Sequence, residues 1–263
     1  MSYALVTGAS SGIGRHYTLL LAQRGYNIIA VSNQAAELEA VTTEAEQSYG
    51  IRAIPLVIDL ASPDAAQWLF EYTEREGLQV EILICNAGML LFSTMLNTSP
   101  ERLATIVALH CTTTTLLCRY FGQRFKERGH GRILIMSSAT AWLPYPTISH
   151  YAATKAYLKS FASSLWYELR PYGVSVTAIF PGAVDTPFYS LGEGARRPLR
   201  LLGVMLKAET IARRGLRAMF RGRRRLVPGL FTKIVVAICA LLPARLLYPL
   251  LRIGPIKRLI ERL

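Results

Sequence analysis

A glycine-rich stretch near the start, Thr7-Gly8-Ala9-Ser10-Ser11-Gly12-Ile13-Gly14, most constrains how this chain can fold. It lies between a short apolar run at residues 4–7 and a helical pattern at 15–24, which Gly25 stops. Glycines at these places permit a tight turn and let backbone N–H groups approach an anion at a helix N-terminus. The spacing is GxxxGxG, distinct from the GxGxxG of other nucleotide-binding turns. A strand, a tight turn and a helix in immediate succession point to a layered α/β architecture.

The rest of the chain continues the alternation. Strands are predicted at 27–32, 53–58, 82–85, 132–136 and 174–180, with a last short one at 226–228. Helices are predicted at 35–49, 63–76, 101–128, 151–170 and 209–220. Short apolar runs separated by helices make βαβ units, and right-handed crossovers close them into a doubly wound parallel sheet. Hydrophobic residues make up 51% of the sequence, enough for a sizeable core and against disorder. Residues 1–228 are read as one Rossmann-type catalytic domain, and 229–263 as a basic, apolar tail. No basic region followed by an apolar one opens the chain, so a cytoplasmic active site is expected. Cys85, Cys111, Cys118 and Cys239 lack metal or redox spacing and read as buried free thiols; no metal is expected.

Cofactor choice in such folds is made at the end of the second strand. An acid there would hydrogen-bond a ribose 2′-hydroxyl and repel a 2′-phosphate. Here the residues are Val31-Ser32-Asn33-Gln34, with no acid before Glu37. Arg15 could reach a phosphate, or could equally be a solvated first-turn arginine. The pattern favours NADP(H) over NAD(H). Asp59 ends the third strand and is placed at the adenine edge. Asn86-Ala87-Gly88 ends the fourth, and Pro181-Gly182-Ala183-Val184-Asp185-Thr186 follows the sixth; both are read as cofactor walls.

Tyr151-Ala152-Ala153-Thr154-Lys155 opens a helix and sets Tyr151 and Lys155 on one face. An ammonium there depresses the phenol pKa from about 10. Such a tyrosine can pass a proton to a carbonyl oxygen, or take one from an alcohol, as hydride moves. Ser138, after the fifth strand, can hydrogen-bond the same oxygen, and Ser137 competes for that role.

These motifs together resemble the short-chain dehydrogenase/reductase family, across roughly residues 3–190. The resemblance implies a seven-stranded sheet, Tyr151 as acid/base, Lys155 also holding the nicotinamide ribose, and Ser138 orienting the substrate. It also implies a homo-oligomer built through the two long helices. One position departs from the family pattern. Where the family carries an Asn that holds a relay water, this sequence has His110. An imidazole there could run the proton relay, or could be packed within its helix.

Charge is distributed unevenly. Residues 1–191 hold 13 Lys/Arg against 14 Asp/Glu, whereas residues 192–263 hold 17 against 3. An acidic partner for the last quarter of the chain follows. Residues 188–206 read as a lid over a hydrophobic substrate. The uncharged run at 234–244 is shorter than the ~20 residues a spanning helix needs. Interfacial binding fits better, with Lys233, Arg245, Arg252, Lys257, Arg258 and Arg262 meeting anionic headgroups. The long apolar runs, without stacking aromatics, count against nucleic acid.

The expected activity is reduction of a hydrophobic ketone, such as a keto-lipid (3-ketosphinganine, a steroid or a long-chain ketoacyl compound), at the cytoplasmic face of a membrane. The alternative is a non-catalytic, cofactor-binding scaffold or sensor at a membrane.

Overall fold

A computed structural model describes residues 2–90, 93–143, 148–185, 203–241 and 245. Its main sheet has seven parallel strands in the order β3-β2-β1-β4-β5-β6-β9. These are β1 (Tyr3–Thr7), β2 (Asn27–Ser32), β3 (Ala53–Val57), β4 (Val80–Cys85), β5 (Gly131–Met136), β6 (Val174–Ile179) and β9 (Arg225–Leu226). The chain starts mid-sheet, runs outward through β2 and β3, then crosses back to β4. The winding therefore reverses between β1 and β4, and a crevice opens beyond the carboxyl ends of those two strands.

Every residue of β1 and β2 is buried, because helices cover both faces. Alternate strand residues point to opposite faces and build two cores. On one, Leu5, Ile29, Leu83 and Ile133 pack against α3 (Ala65–Arg75), α5 (Thr113–Arg128) and α6 (Ser149–Leu169) through Leu69, Phe121, Phe125 and Leu158. On the other, Val6, Ile28, Ile84 and Leu134 meet α1 (Gly12–Ala22), α2 (Ala35–Tyr49) and a helix at Ala208–Phe220, here α7, through Tyr17, Leu21, Leu38 and Ile211. Cys85 and Cys118 are buried free thiols, as the composition predicts, while Cys111 and Cys239 are only partly buried.

Three features differ from, or add to, the sequence expectation. The helix predicted over 101–128 is two helices, α4 (Pro100–Val107) and α5, joined by a π-helical turn at Ala108–Thr112. The Thr113 hydroxyl braces this turn by donating to the Leu60 carbonyl at 2.5 Å while lying 3.0 Å from the Ala108 carbonyl. Beyond the main sheet, β7 (Ala183–Asp185) and β8 (Met205–Lys207) form a small parallel pair. At three residues each, they are too short to show a periodic signal. The start of the tail is α8 (Leu230–Leu241), which docks on the catalytic core with Thr232 and Val236 buried. A Cβ on Gly182 would lie 2.6 Å from the Thr232 hydroxyl, so only glycine permits this approach. Arg252, Lys257, Arg258 and Arg262 lie outside the described residues, as do residues 188–202 of the expected lid. Among the described residues no helix is long and apolar enough to cross a membrane.

Candidate active site

A cavity of ≈ 900 Å³ occupies the crevice. Its nucleotide end is formed by Gly8, Ser10, Ser11, Gly12 and Ile13. Gly8 and Gly12 have φ of 65° and 54°, in the left-handed region that glycine adopts without strain. A Cβ on Gly14 would lie 1.9 Å from the Gly8 carbonyl oxygen, so Gly14 is the contact that lets α1 start directly under the turn.

Two polar clusters hold the turn in shape. The Asn86 amide donates to the carbonyls of Thr7 (3.0 Å) and Gly8 (3.2 Å). The Thr7 hydroxyl accepts from the Asn86 and Ala87 N–H groups at 2.9 and 3.0 Å. The Ser10 hydroxyl donates to Gln34 Oε1 at 2.7 Å and lies 2.9 Å from the Ser32 hydroxyl. The glycine turn is thus wired to the ends of β4 and β2, the two places where cofactor contacts are expected.

Ser32, Asn33 and Gln34 line the cavity, with no acid among them. Asp59, Asn86, Ala87, Gly88, Pro181, Gly182 and Val184 also form its walls. Asp59 accepts the Ala61 N–H at 2.9 Å. Gly14 supports the turn from behind. Arg15 is not part of the wall; its guanidinium pairs with Glu44 of α2, and both side chains are partly exposed. A phosphate contact by Arg15 requires that it leave Glu44, which for an exposed pair costs about 1 kcal/mol or less. Thr186 lies outside the described residues. Turn, cradle and non-acidic β2 end together fit a nicotinamide dinucleotide.

The opposite end carries Ser137, Ser138, Tyr151 and Lys155. Lys155 is buried, and its ammonium donates to the Met136 carbonyl at 3.2 Å. It lies 5.4 Å from the Tyr151 ring centroid. Burial pushes the Lys155 ammonium down to about 8. The Ser138 hydroxyl accepts the Thr140 N–H at 3.2 Å, which leaves its own proton to donate into the cavity. Ser137 is otherwise engaged: its hydroxyl donates to the Lys155 carbonyl at 2.8 Å. Of the two serines, Ser138 is the one with a hydroxyl proton to offer a substrate.

His110 sits in the π-helical turn, buried, with its ring edge-on to Tyr151 at 5.7 Å. The Met89 N–H donates to Nε2 at 3.0 Å. That bond makes Nε2 the acceptor and places the proton on Nδ1, which donates to the Thr154 hydroxyl at 2.8 Å. Thr154 in turn donates to the Tyr151 carbonyl at 2.8 Å. Burial, and secondarily the Lys155 charge, hold His110 well below the usual imidazole range, so the ring is neutral. Both ring nitrogens therefore have protein partners, and a relay through Nε2 needs water to displace the Met89 N–H. The sequence did not single out Met89 or Thr154. A backbone donor carries no side-chain signal, and Thr154 hides inside the Tyr151–Lys155 motif. Gly88 has a second role as well: a Cβ there would lie 2.9 Å from His110 Nε2 and 3.7 Å from Lys155 Nζ.

Apolar side chains also line the cavity, among them Leu90, Leu109, Leu143, Ile148, Phe231 and Val235. Phe231 and Val235 come from α8, so the tail contributes part of the wall.

Comparison with known proteins gives a consistent result. A family model described as short chain dehydrogenase matches residues 2–192. The chain is 32% identical over 180 residues to a very-long-chain 3-oxoacyl-CoA reductase of Aspergillus clavatus, covering 68% of this chain and 52% of that protein. It is 32% identical over 187 residues to 17-beta-hydroxysteroid dehydrogenase type 3 of Homo sapiens, covering 70% and 59%. The chain thus spans little more than half the length of these curated relatives. A short-chain dehydrogenase from Sphingobium yanoikuyae, solved in complex with NADPH, superposes with a TM-score of 0.78 at 26% identity, covering 93% of this chain and 97% of that one.

Proposed function

Because the chain belongs to the short-chain dehydrogenase/reductase family, we propose that it is an NADP(H)-dependent oxidoreductase acting on a hydrophobic ketone or alcohol of lipid type. One observation carries the reading: Tyr151, Lys155 and Ser138 share a cavity with the glycine turn, and its far walls are apolar. The bound nicotinamide supplies or accepts the hydride. The chain's own residues do the rest. Ser138 donates a hydrogen bond to the substrate oxygen and orients it. Tyr151 gives that oxygen a proton during reduction and becomes a phenolate. Lys155, still charged at neutral pH, stabilises the phenolate and would hold the nicotinamide ribose. Gly8, Ser11, Gly12 and Ile13 would cradle the pyrophosphate with their backbone. Pro181, Gly182 and Val184 would wall in the cofactor, with Thr186 following them in sequence.

Three features support NADP(H): no acid at the end of β2, an arginine held only by an exposed ion pair, and a relative in the same fold solved with NADPH. With NADPH the cellular direction is reduction. The lipid reading rests on the apolar walls and on relatives named for very-long-chain 3-oxoacyl and hydroxysteroid substrates. His110 is assigned a positioning role, tying the loop after β4 to the start of α6, with the relay open to it only by exchange of Met89 for water. The boundary at 228 is functional: residues 1–228 carry the chemistry, and 229–263 hold the enzyme peripherally on the cytoplasmic face of a membrane. Self-association is placed on the two long helices, α5 and α6.

The test follows NADPH absorbance with a panel of lipid ketones. The expected result is turnover of at least one, lowered by about 10²–10⁴-fold in Tyr151→Phe. Equal rates for the variant and the wild type on every ketone sink the proposal.

A further inference from the structure

Helix α8 stands between two different surfaces. At about 100° per residue, Thr232 and Val236 fall on the arc that docks on the core. Phe231 and Val235 come next around the helix, in the cavity wall. Beyond them Leu230, Ile234, Ile238 and Leu241 leave the protein, 75%, 50%, 45% and 83% exposed. Phe231 belongs to both sets, since it lines the cavity and is 45% exposed. On the other flank Lys233 joins Arg214, Arg217, Arg221 and Arg223 around a shallow basin of ≈ 240 Å³. No acid lines that basin, and none of the five cations pairs with an acid among the described residues.

An apolar stripe beside a row of unpaired cations defines its partner by chemistry. A second copy joined about a two-fold axis would bring five cations towards five more. A polyanion such as nucleic acid would satisfy the basin and leave the stripe in water. A bilayer with anionic headgroups answers both at once, at the depth an interfacial helix occupies.

We propose that this face docks on an anionic bilayer. The basin takes lipid phosphates, Leu230, Ile234, Ile238 and Leu241 enter the acyl layer, and the Phe231 edge is the portal between lipid and cavity. The docking deepens the peripheral-membrane reading given above and is argued from this geometry, whereas the portal rests on the hydrophobic-substrate reading.

The test uses the full chain with NADPH and flotation on vesicles of phosphatidylcholine, alone or mixed with phosphatidylserine. The expected result is binding to the mixed vesicles that added salt weakens. The double variants Ile234→Glu with Ile238→Glu, and Arg217→Glu with Arg221→Glu, change exposed side chains only. Each is expected to lose vesicle binding about tenfold or more while keeping its circular dichroism and NADPH binding. Phe231→Trp, measured against the wild type, is expected to be quenched by vesicles with brominated acyl chains. Flotation indifferent to phosphatidylserine, or unchanged in both double variants, overturns the docking. A dimer in solution that Ile234→Glu with Ile238→Glu dissolves also overturns it, in favour of a second copy. Normal flotation without extra quenching at position 231 overturns the portal. Normal flotation in an enzyme that reduces no ketone refutes the reaction proposed above and leaves the docking face standing.

Discussion

Burial brings the Lys155 ammonium down to about 8 from its ordinary 10.5. Between those values the unfolded chain keeps a proton that the folded chain has released, so stability rises with pH across that window. Below pH 8 both states are charged and the cost of burying the ammonium is fully present; above 10.5 it is gone. Relative to Lys155→Met, wild-type apoprotein is expected to gain up to about 3 kcal/mol across the window, read from urea midpoints. Parallel pH curves would show that this lysine is not held as described. Cofactor choice is a second residue-scale matter. Asn33→Asp puts a carboxylate on the cavity wall where a 2′-phosphate is expected, and like charges there repel. The expected change is a rise in KM for NADPH of about tenfold relative to NADH, equivalent to ~1.4 kcal/mol. An unchanged ratio would move the discriminating contact elsewhere.

Among the elements, His110 links three. It accepts from the loop after β4, sits in the π-helical turn before α5, and reaches the first turn of α6 through Thr154. His110→Ala leaves the partly buried Met89 N–H without its side-chain partner, at a cost of roughly 1 kcal/mol. The start of α6 is expected to loosen, visible as faster amide exchange at residues 151–155 and a higher KM. A His110→Asn variant that restored exchange protection but altered the pH profile would favour the relay instead. The elements also show where sequence reading reaches its limit. The glycine turn, the strands and the Tyr151–Lys155 face were legible because each is set by local chemistry: a forced φ, an apolar run, a helical repeat. The π-helical turn was not, because Ala108–Thr112 continues the helical composition on either side and the extra residue shows only in the hydrogen bonds. The docking of α8 was equally hidden. Its apolar run marks a buried or lipid-facing helix, but only the approach of Thr232 to Gly182 reveals that one arc is committed to the core.

At the scale of the whole molecule, charge is segregated along the chain and then in space. The near-neutral first 191 residues build six of the seven strands of the main sheet, while five cations of the last 72 residues line the basin beside α8. Such a molecule approaches an anionic surface in a preferred orientation, with association that slows as ionic strength shortens the Debye length. Stopped-flow mixing with phosphatidylserine vesicles is expected to give an on-rate that falls about tenfold or more from low to physiological salt. A salt-independent rate would mean that the basin does not face the lipid.

Phe231 belongs at once to the inner chamber and the outer apolar arc, so on the proposed docking the enzyme would sample its substrate in two dimensions. Its rate would then follow the mole fraction of ketone within the lipid phase rather than the amount per millilitre. Diluting a fixed quantity of ketone with inert phospholipid would slow turnover even though nothing in the aqueous phase had changed.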